Sequence, residues 1–115
     1  VDALAVAVGS LHRMQKKEAR LDFKLLSEIE STTDVPLVIH GTSGIVDEDV
    51  KKLLPTQVGK VNIGTSLRIA FGESLKEEIS EKPEEYDRVK LFEKPIAAVQ
   101  KAAEEKFRLL GWKEE

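Results

Sequence analysis

Two histidines, His12 and His40, are the only ones in the chain. Each follows a short apolar run, "DALAVAVG" before the first and "VPLVI" before the second. Neutral imidazole is the commonest side-chain metal ligand near neutral pH. A catalytic zinc needs about three protein ligands and an open position. With no cysteine and no HxH or HExxH spacing, the chain has no evident third ligand. The residues alone therefore leave two readings open: a metal shared between His12 and His40, or two unrelated rim or core histidines.

Two further segments bear on anion chemistry. "HGTSG" starts at His40 and "NIGTS" at Asn62, and each is a Gly/Ser/Thr loop between an apolar run and a helical pattern. Small residues let the backbone approach a phosphate, and exposed N–H groups at a helix N-terminus bind the anion. The same glycines are also ordinary turn residues. Asn62 stands in an otherwise apolar run and needs a partner, because burying a lone amide costs about 1–3 kcal/mol. Arg13, Lys16, Lys17 and Arg20 make the loop after the first histidine basic. They read either as a solvated loop or as a cationic flap over a phosphate. Glu77, Glu78, Glu81, Glu84 and Glu85 read as a solvated helix end.

The elements that must position these groups alternate. Three apolar runs, "DALAVAVG", "VPLVIH" and "GKVNIGT", predict strands. Between and after them come helical patterns. "LDFKLLSEIEST" carries Asp22 in its first turn, and "DEDVKKLLP" has acids first, lysines later and Pro55 to stop it. "SLRIAFGESLKEEISEK" has Ser66 as its cap and Leu67, Ile69, Ala70, Leu75 and Ile79 for a core. A last helix is expected from about Lys94 to Leu110, with Ile96, Val99, Ala103, Phe107 and Leu110 on one face. Trp112 would anchor its end.

Strand–helix alternation points to parallel strands in an α/β fold. His12, His40 and Asn62, spaced by 28 and then 22 residues, would each follow a strand. They would then share the rim where such folds build their sites. The chain begins within an apolar run at Val1, which suggests the last three units of an eight-unit barrel rather than a small independent sandwich. Residues 1–115 would thus be one piece of one domain, the C-terminal part of something longer.

The composition is that of a globular protein: 115 residues, 41% apolar and 34% charged, with net charge −3. No basic block suggests nucleic acid, and no apolar run reaches the roughly 20 residues of a membrane span. The absence of cysteine fits a reducing compartment, and a cytoplasmic location is expected.

"DALAVAVGSLH", "LDFKLLSEI", "VPLVIHGTSGI" and "GKVNIGTSLRIAF" resemble, in order, the C-terminal part of class II fructose-bisphosphate aldolases and their tagatose-bisphosphate relatives. The resemblance implies the last three strand–helix units of a TIM (β/α)8 barrel plus C-terminal helices. It implies zinc-dependent aldol cleavage or condensation of a ketose bisphosphate through dihydroxyacetone phosphate. His12 and His40 would be two zinc ligands, and the third would lie in sequence upstream. Gly41, Thr42 and Ser43 would contact the substrate phosphate together with Asn62, Ile63, Gly64 and Thr65, Asn62 also touching the ketose. It further implies a monovalent cation beside Zn²⁺, a homodimer or homotetramer when full length, and a catalytic carboxylate outside this segment, so the segment alone is expected to be inactive. Three positions depart from the family: in "HRMQKK" Arg13 replaces a glycine and Gln15 an aromatic residue, and Gly64 stands where Asp or Asn is frequent. Two other readings remain. One is a non-catalytic half-barrel that binds phosphate or oligomerises. The other is a metal-free lyase with a Schiff base on Lys60.

Overall fold

The computed structural model describes residues 1–10, 13 and 16–113. Three short strands, β1 (Leu4–Val6), β2 (Leu37–Ile39) and β3 (Val58–Val61), form one parallel sheet in the order β1-β2-β3. The connections carry α1 (Phe23–Glu30) and α2 (Asp47–Lys52), and α3 (Thr65–Glu81) and α4 (Arg88–Leu109) follow β3. The α/β class and the parallel alternation are therefore as expected from sequence.

The central strand explains the sheet. Leu37, Val38 and Ile39 are all buried, as a strand covered on both faces requires. Leu26 of α1, Val50 of α2, and Ile45 and Leu53 beside α2 join Leu37 and Ile39 in one core cluster. Burying a leucine such as Leu26 contributes about 2 kcal/mol. Leu25 of the same helix is left partly exposed.

Several boundaries differ from the sequence reading. The first strand ends at Val6, not beside residue 12, because Gly9 turns the chain at φ +107. Asp22 is not in the first turn of α1 but is its cap, accepting from the Leu25 N–H at 2.9 Å. Ser66 is not the cap of α3 but lies within its first turn, after Gly64. The last helix starts at Arg88, six residues before Lys94, with Asp87 capping it through the Val89 N–H at 2.9 Å. It ends in a Schellman turn: Gly111 at φ +88 donates to Arg108 O, and the Trp112 N–H donates to Phe107 O. The Trp112 ring then lies 6.5 Å from that of Phe107, the anchoring role expected of it.

α3 packs chiefly on α4, with Phe71 and Phe92 edge to face at 5.4 Å, and α4 returns to lay Leu109 and Leu110 on the core. The long axis of the molecule is 59 Å as a result. Ile79, expected in the core, is half exposed, and Glu78, expected in solvent, is the residue of α3 that is buried. The Glu78 carboxylate faces Lys82 and lies 2.7 Å from Lys94 of α4. Those two ammonium groups hold it below the usual carboxylate range.

Among the described residues no helix is long and apolar enough to cross a membrane.

Candidate active site

Sheet register builds the site. Ile39 pairs with Val61 across β2 and β3, so the next residues, His40 and Asn62, emerge side by side. The Asn62 N–H donates to Ile39 O at 2.9 Å, and the Asn62 amide nitrogen lies 3.0 Å from His40 Nδ1. Both residues are half-buried at the carboxyl ends of parallel strands, where α/β folds place their ligands. Of the residues singled out from sequence, these two are brought into direct contact. His12 lies outside the described residues, so its place relative to His40 is not part of the geometry. Among the described residues there is no cluster of three metal-binding side chains.

The loop after His40 turns at once. Gly41 takes φ +67, a left-handed conformation suited to glycine, and Thr42–Gly44 form a single 3-10 turn. Gly44 donates to Gly41 O and Ile45 to Thr42 O. The two hydroxyls are turned inward. Thr42 Oγ1 reaches Ile39 O at 3.5 Å, and Ser43 Oγ accepts from the Ser66 N–H at 3.1 Å and touches Ser66 Oγ at 3.3 Å. Ser43 thus caps a helix that begins 22 residues later. It joins "HGTSG" to "NIGTS" through one side chain, so the two loops face each other as one rim. Ile63, Gly64 and Thr65 complete it, half-buried, and a Cβ at Gly64 would meet nothing within 4 Å.

Residues 17–20 of the basic loop are tied to α2 and to the turn before it. Glu18 and Ala19 both donate to Gly44 O, at 3.1 and 2.9 Å, and Val46 donates to Ala19 O. Its cations meet the acidic first turn of α2. Lys17 lies 2.7 Å from Asp47, and Arg20 lies 3.2 Å from both Glu48 and Asp49. Asp49 is buried and accepts the Leu21 N–H at 3.0 Å. Burial pushes its carboxyl up, but the Leu21 N–H, Arg20 and Lys52 together outweigh that and hold it below the ordinary value. Lys106 of α4, mostly covered, comes within 3.8 Å of Asp47, and burial and the neighbouring Lys17 push its ammonium down. Arg13, at φ +61, occupies the left-handed region. That is the backbone a glycine would prefer, at the position where a departure from glycine was noted.

Sequence reasoning missed one feature. A cleft of about 510 Å³ runs beside the first turns of α3, lined by Lys16, Thr65, Arg68, Gly72, Glu73 and Lys76 among others. Positions 68, 72 and 76 recur every four residues along one helix face, a spacing that was available as a signal. Lys60, the alternative nucleophile, is exposed on the strand β3 and lines a different cleft with Leu53, Leu54 and Leu110.

This chain matches the family "fructose-bisphosphate aldolase class-II" over residues 1–115. Among solved structures it is similar to the YdjI aldolase from Escherichia coli K12, with 32% identity and a TM-score of 0.71 over 96% of this chain and 39% of that one. It is also similar to a Coccidioides immitis protein provisionally described as a fructose-1,6-biphosphate aldolase, with 26% identity and a TM-score of 0.74 over 96% of this chain and 38% of that one. A fructose-bisphosphate aldolase from Campylobacter jejuni shares the fold at 21% identity, with a TM-score of 0.74 over 94% of this chain and 39% of that one. The chain spans about two fifths of the length of these structures.

Proposed function

Because the chain belongs to the class II fructose-bisphosphate aldolase family, we propose that it is the C-terminal part of a (β/α)8-barrel lyase that cleaves or forms a ketose bisphosphate at a zinc ion. The observation that carries this reading is the contact between His40 and Asn62 at adjacent strand ends, flanked by the Ser43-linked loops.

His40 has the donor chemistry that zinc requires. The two ends of an Asn amide are interchangeable by a flip. With the amide oxygen toward the ring, Nδ1 carries the proton and Nε2 presents the lone pair that a neutral imidazole gives to a metal. His12 and a histidine outside this segment would complete the set. When bound, zinc supplies a Lewis acid that polarises the ketone carbonyl.

The chain's own residues do the rest. Flipped this way, Asn62 holds the His40 ring in one tautomer and turns its NH₂ toward a ketose hydroxyl. The hydroxyls of Thr42 and Ser43 are committed to Ile39 O and the Ser66 N–H. The phosphate is therefore held mainly by backbone N–H groups of Gly41, Thr42 and Ser43 and of residues 63–65. The N-terminal end of α3 adds its partial positive charge. Proton transfer at the aldehyde end falls to a residue outside this segment. The working assembly is a cytoplasmic homo-oligomer with a monovalent cation beside the zinc, and the segment is inactive alone.

The test is made on the full-length protein. Fructose 1,6-bisphosphate and its tagatose epimer are assayed for triose phosphate release, with bound zinc measured in parallel. A zinc-dependent activity lost on chelation and in His40→Ala supports the reading. Activity that survives chelation but is trapped by borohydride on a lysine refutes it and favours the Schiff-base alternative.

A further inference from the structure

Among the described lysines, Lys106 is the one that is not exposed. It stands in the last turn of α4, and its side chain is 13% exposed against 45% for its neighbour Lys17. The two share one carboxylate unequally. Asp47 Oδ1 lies 2.7 Å from Lys17 Nζ but 3.8 Å from Lys106 Nζ, so that oxygen is committed to Lys17. Burial and the charge of Lys17 push the Lys106 ammonium down, and the opposing pull of Asp47 and Glu105 does not restore it. Removal from water and a cation alongside are two devices that turn a lysine into a nucleophile. The chemistry of the rim does not use this amine.

The amine also has an approach. Lys106 lines a cleft of about 230 Å³ formed where β3, the start of α3 and the end of α4 meet. Its other walls are Val61, Ile63, Leu67, Ala103, Phe107 and Leu110, all apolar. Such walls disfavour a phosphorylated acyl donor or sugar, whose charge would have to shed its water. They admit a small, uncharged electrophile, and carbon dioxide is one that an uncharged amine attacks directly. The Nζ lone pair bonds to its carbon, one C=O electron pair moves onto oxygen, and an N–H proton leaves to water. The product is a carbamate anion, and Lys17 beside the nitrogen is placed to pair with it.

We infer that Lys106 is a carbamylation site, which takes carbon dioxide through this cleft and holds the carbamate against Lys17. In the modified form Lys17 bridges two anions, the carbamate and Asp47. Rising pH favours the modification because it enlarges the uncharged fraction of the amine, on which the charges of Lys17, Asp47 and Glu105 act. Neither His40 nor the phosphate loops take part, so the inference does not depend on the catalytic reading.

The test uses the full-length protein, with isotope-labelled bicarbonate as the source of carbon dioxide. Triethyloxonium converts any carbamate into a stable ester, and peptide mapping by mass spectrometry locates the label. Lys106 is expected to carry at least about threefold more label than any exposed lysine. Lys17→Met, at an exposed position, removes the neighbouring cation and frees Asp47 for Lys106, and is expected to cut the labelling at least about twofold. In parallel, trace acetic anhydride follows the titration of each amine across pH, and the Lys106 midpoint is expected below those of the exposed lysines. A midpoint no lower than theirs, or label unchanged in Lys17→Met, overturns the inference. So does the absence of label from Lys106, even with a low midpoint, because the amine is then uncharged but closed to carbon dioxide.

Discussion

Asp49 offers the sharpest check on how the rim is held. Its carboxylate is 3% exposed, accepts the Leu21 N–H at 3.0 Å, and lies 3.2 Å from Arg20 and 3.6 Å from Lys52. Asp49→Ala leaves the Leu21 N–H buried without an acceptor, which costs about 1–3 kcal/mol. Arg20 and Lys52 are more than half exposed and regain water, so their loss adds no more than about 1 kcal/mol. The total is about 1–4 kcal/mol. Asp49→Asn keeps an acceptor for Leu21 and is expected to cost only about 1 kcal/mol. The carboxyl is held below its ordinary value in the folded chain, so its contribution is complete above about pH 4 and fades as pH falls through the folded-state value. The charge-dependent part of the Ala deficit is therefore full at pH 7 and shrinks in acid. Urea midpoints of the full-length protein give the global effect, and hydrogen exchange at the Leu21 amide gives the local one. Equal midpoints for the Ala and Asn variants or an unchanged Leu21 exchange rate would refute the argument.

Three further outcomes are expected. Ser43→Ala removes the hydroxyl that caps α3 and should cost about 1 kcal/mol in thermal unfolding, with faster exchange at the Ser66 amide. Gly9→Ala should cost at least about 2 kcal/mol by the same melt, since φ is +107 and the new Cβ would sit 2.6 Å from Arg20 O, a backbone atom unable to yield. Arg13→Gly should raise stability by about 0.5–1 kcal/mol, because it relieves a left-handed residue at φ +61 while adding chain entropy to the unfolded state.

The order of elements was legible because burial leaves a mark on composition. "LVI" is apolar at every position since β2 is covered on both faces, and α2 shows its polarity as acids first and lysines last. What stayed hidden depends on contacts between distant residues. Nothing local distinguishes Ser43 from Ser66 as the cap of α3. The choice follows from the register that brings the 3-10 turn beside the start of the helix. Glu78 looked like any solvent-facing acid until Lys94, on a different helix, proved to be its partner. Ile79 and Ile96 were placed inside because apolar periodicity does not say which neighbour a helix face meets, or whether that neighbour belongs to the same chain.

The contact between His40 and Asn62 is itself decided by one irregularity in the sheet. Leu37 pairs with Val58, but Val38 pairs with Lys60, so β3 advances by two residues where β2 advances by one. The extra residue is Gly59, where an added Cβ would lie 3.2 Å from the Pro36 side chain. Glycine therefore permits the close approach that the bulge demands. Without the bulge, Ile39 would face Lys60, and His40 would emerge beside Val61. Asn62 would then stand one residue further along, about 3.3 Å away, with its side chain on the opposite face. The imidazole would lose the amide that orients it. The geometry of the rim is thus set three residues before Asn62, by a glycine that lies outside it.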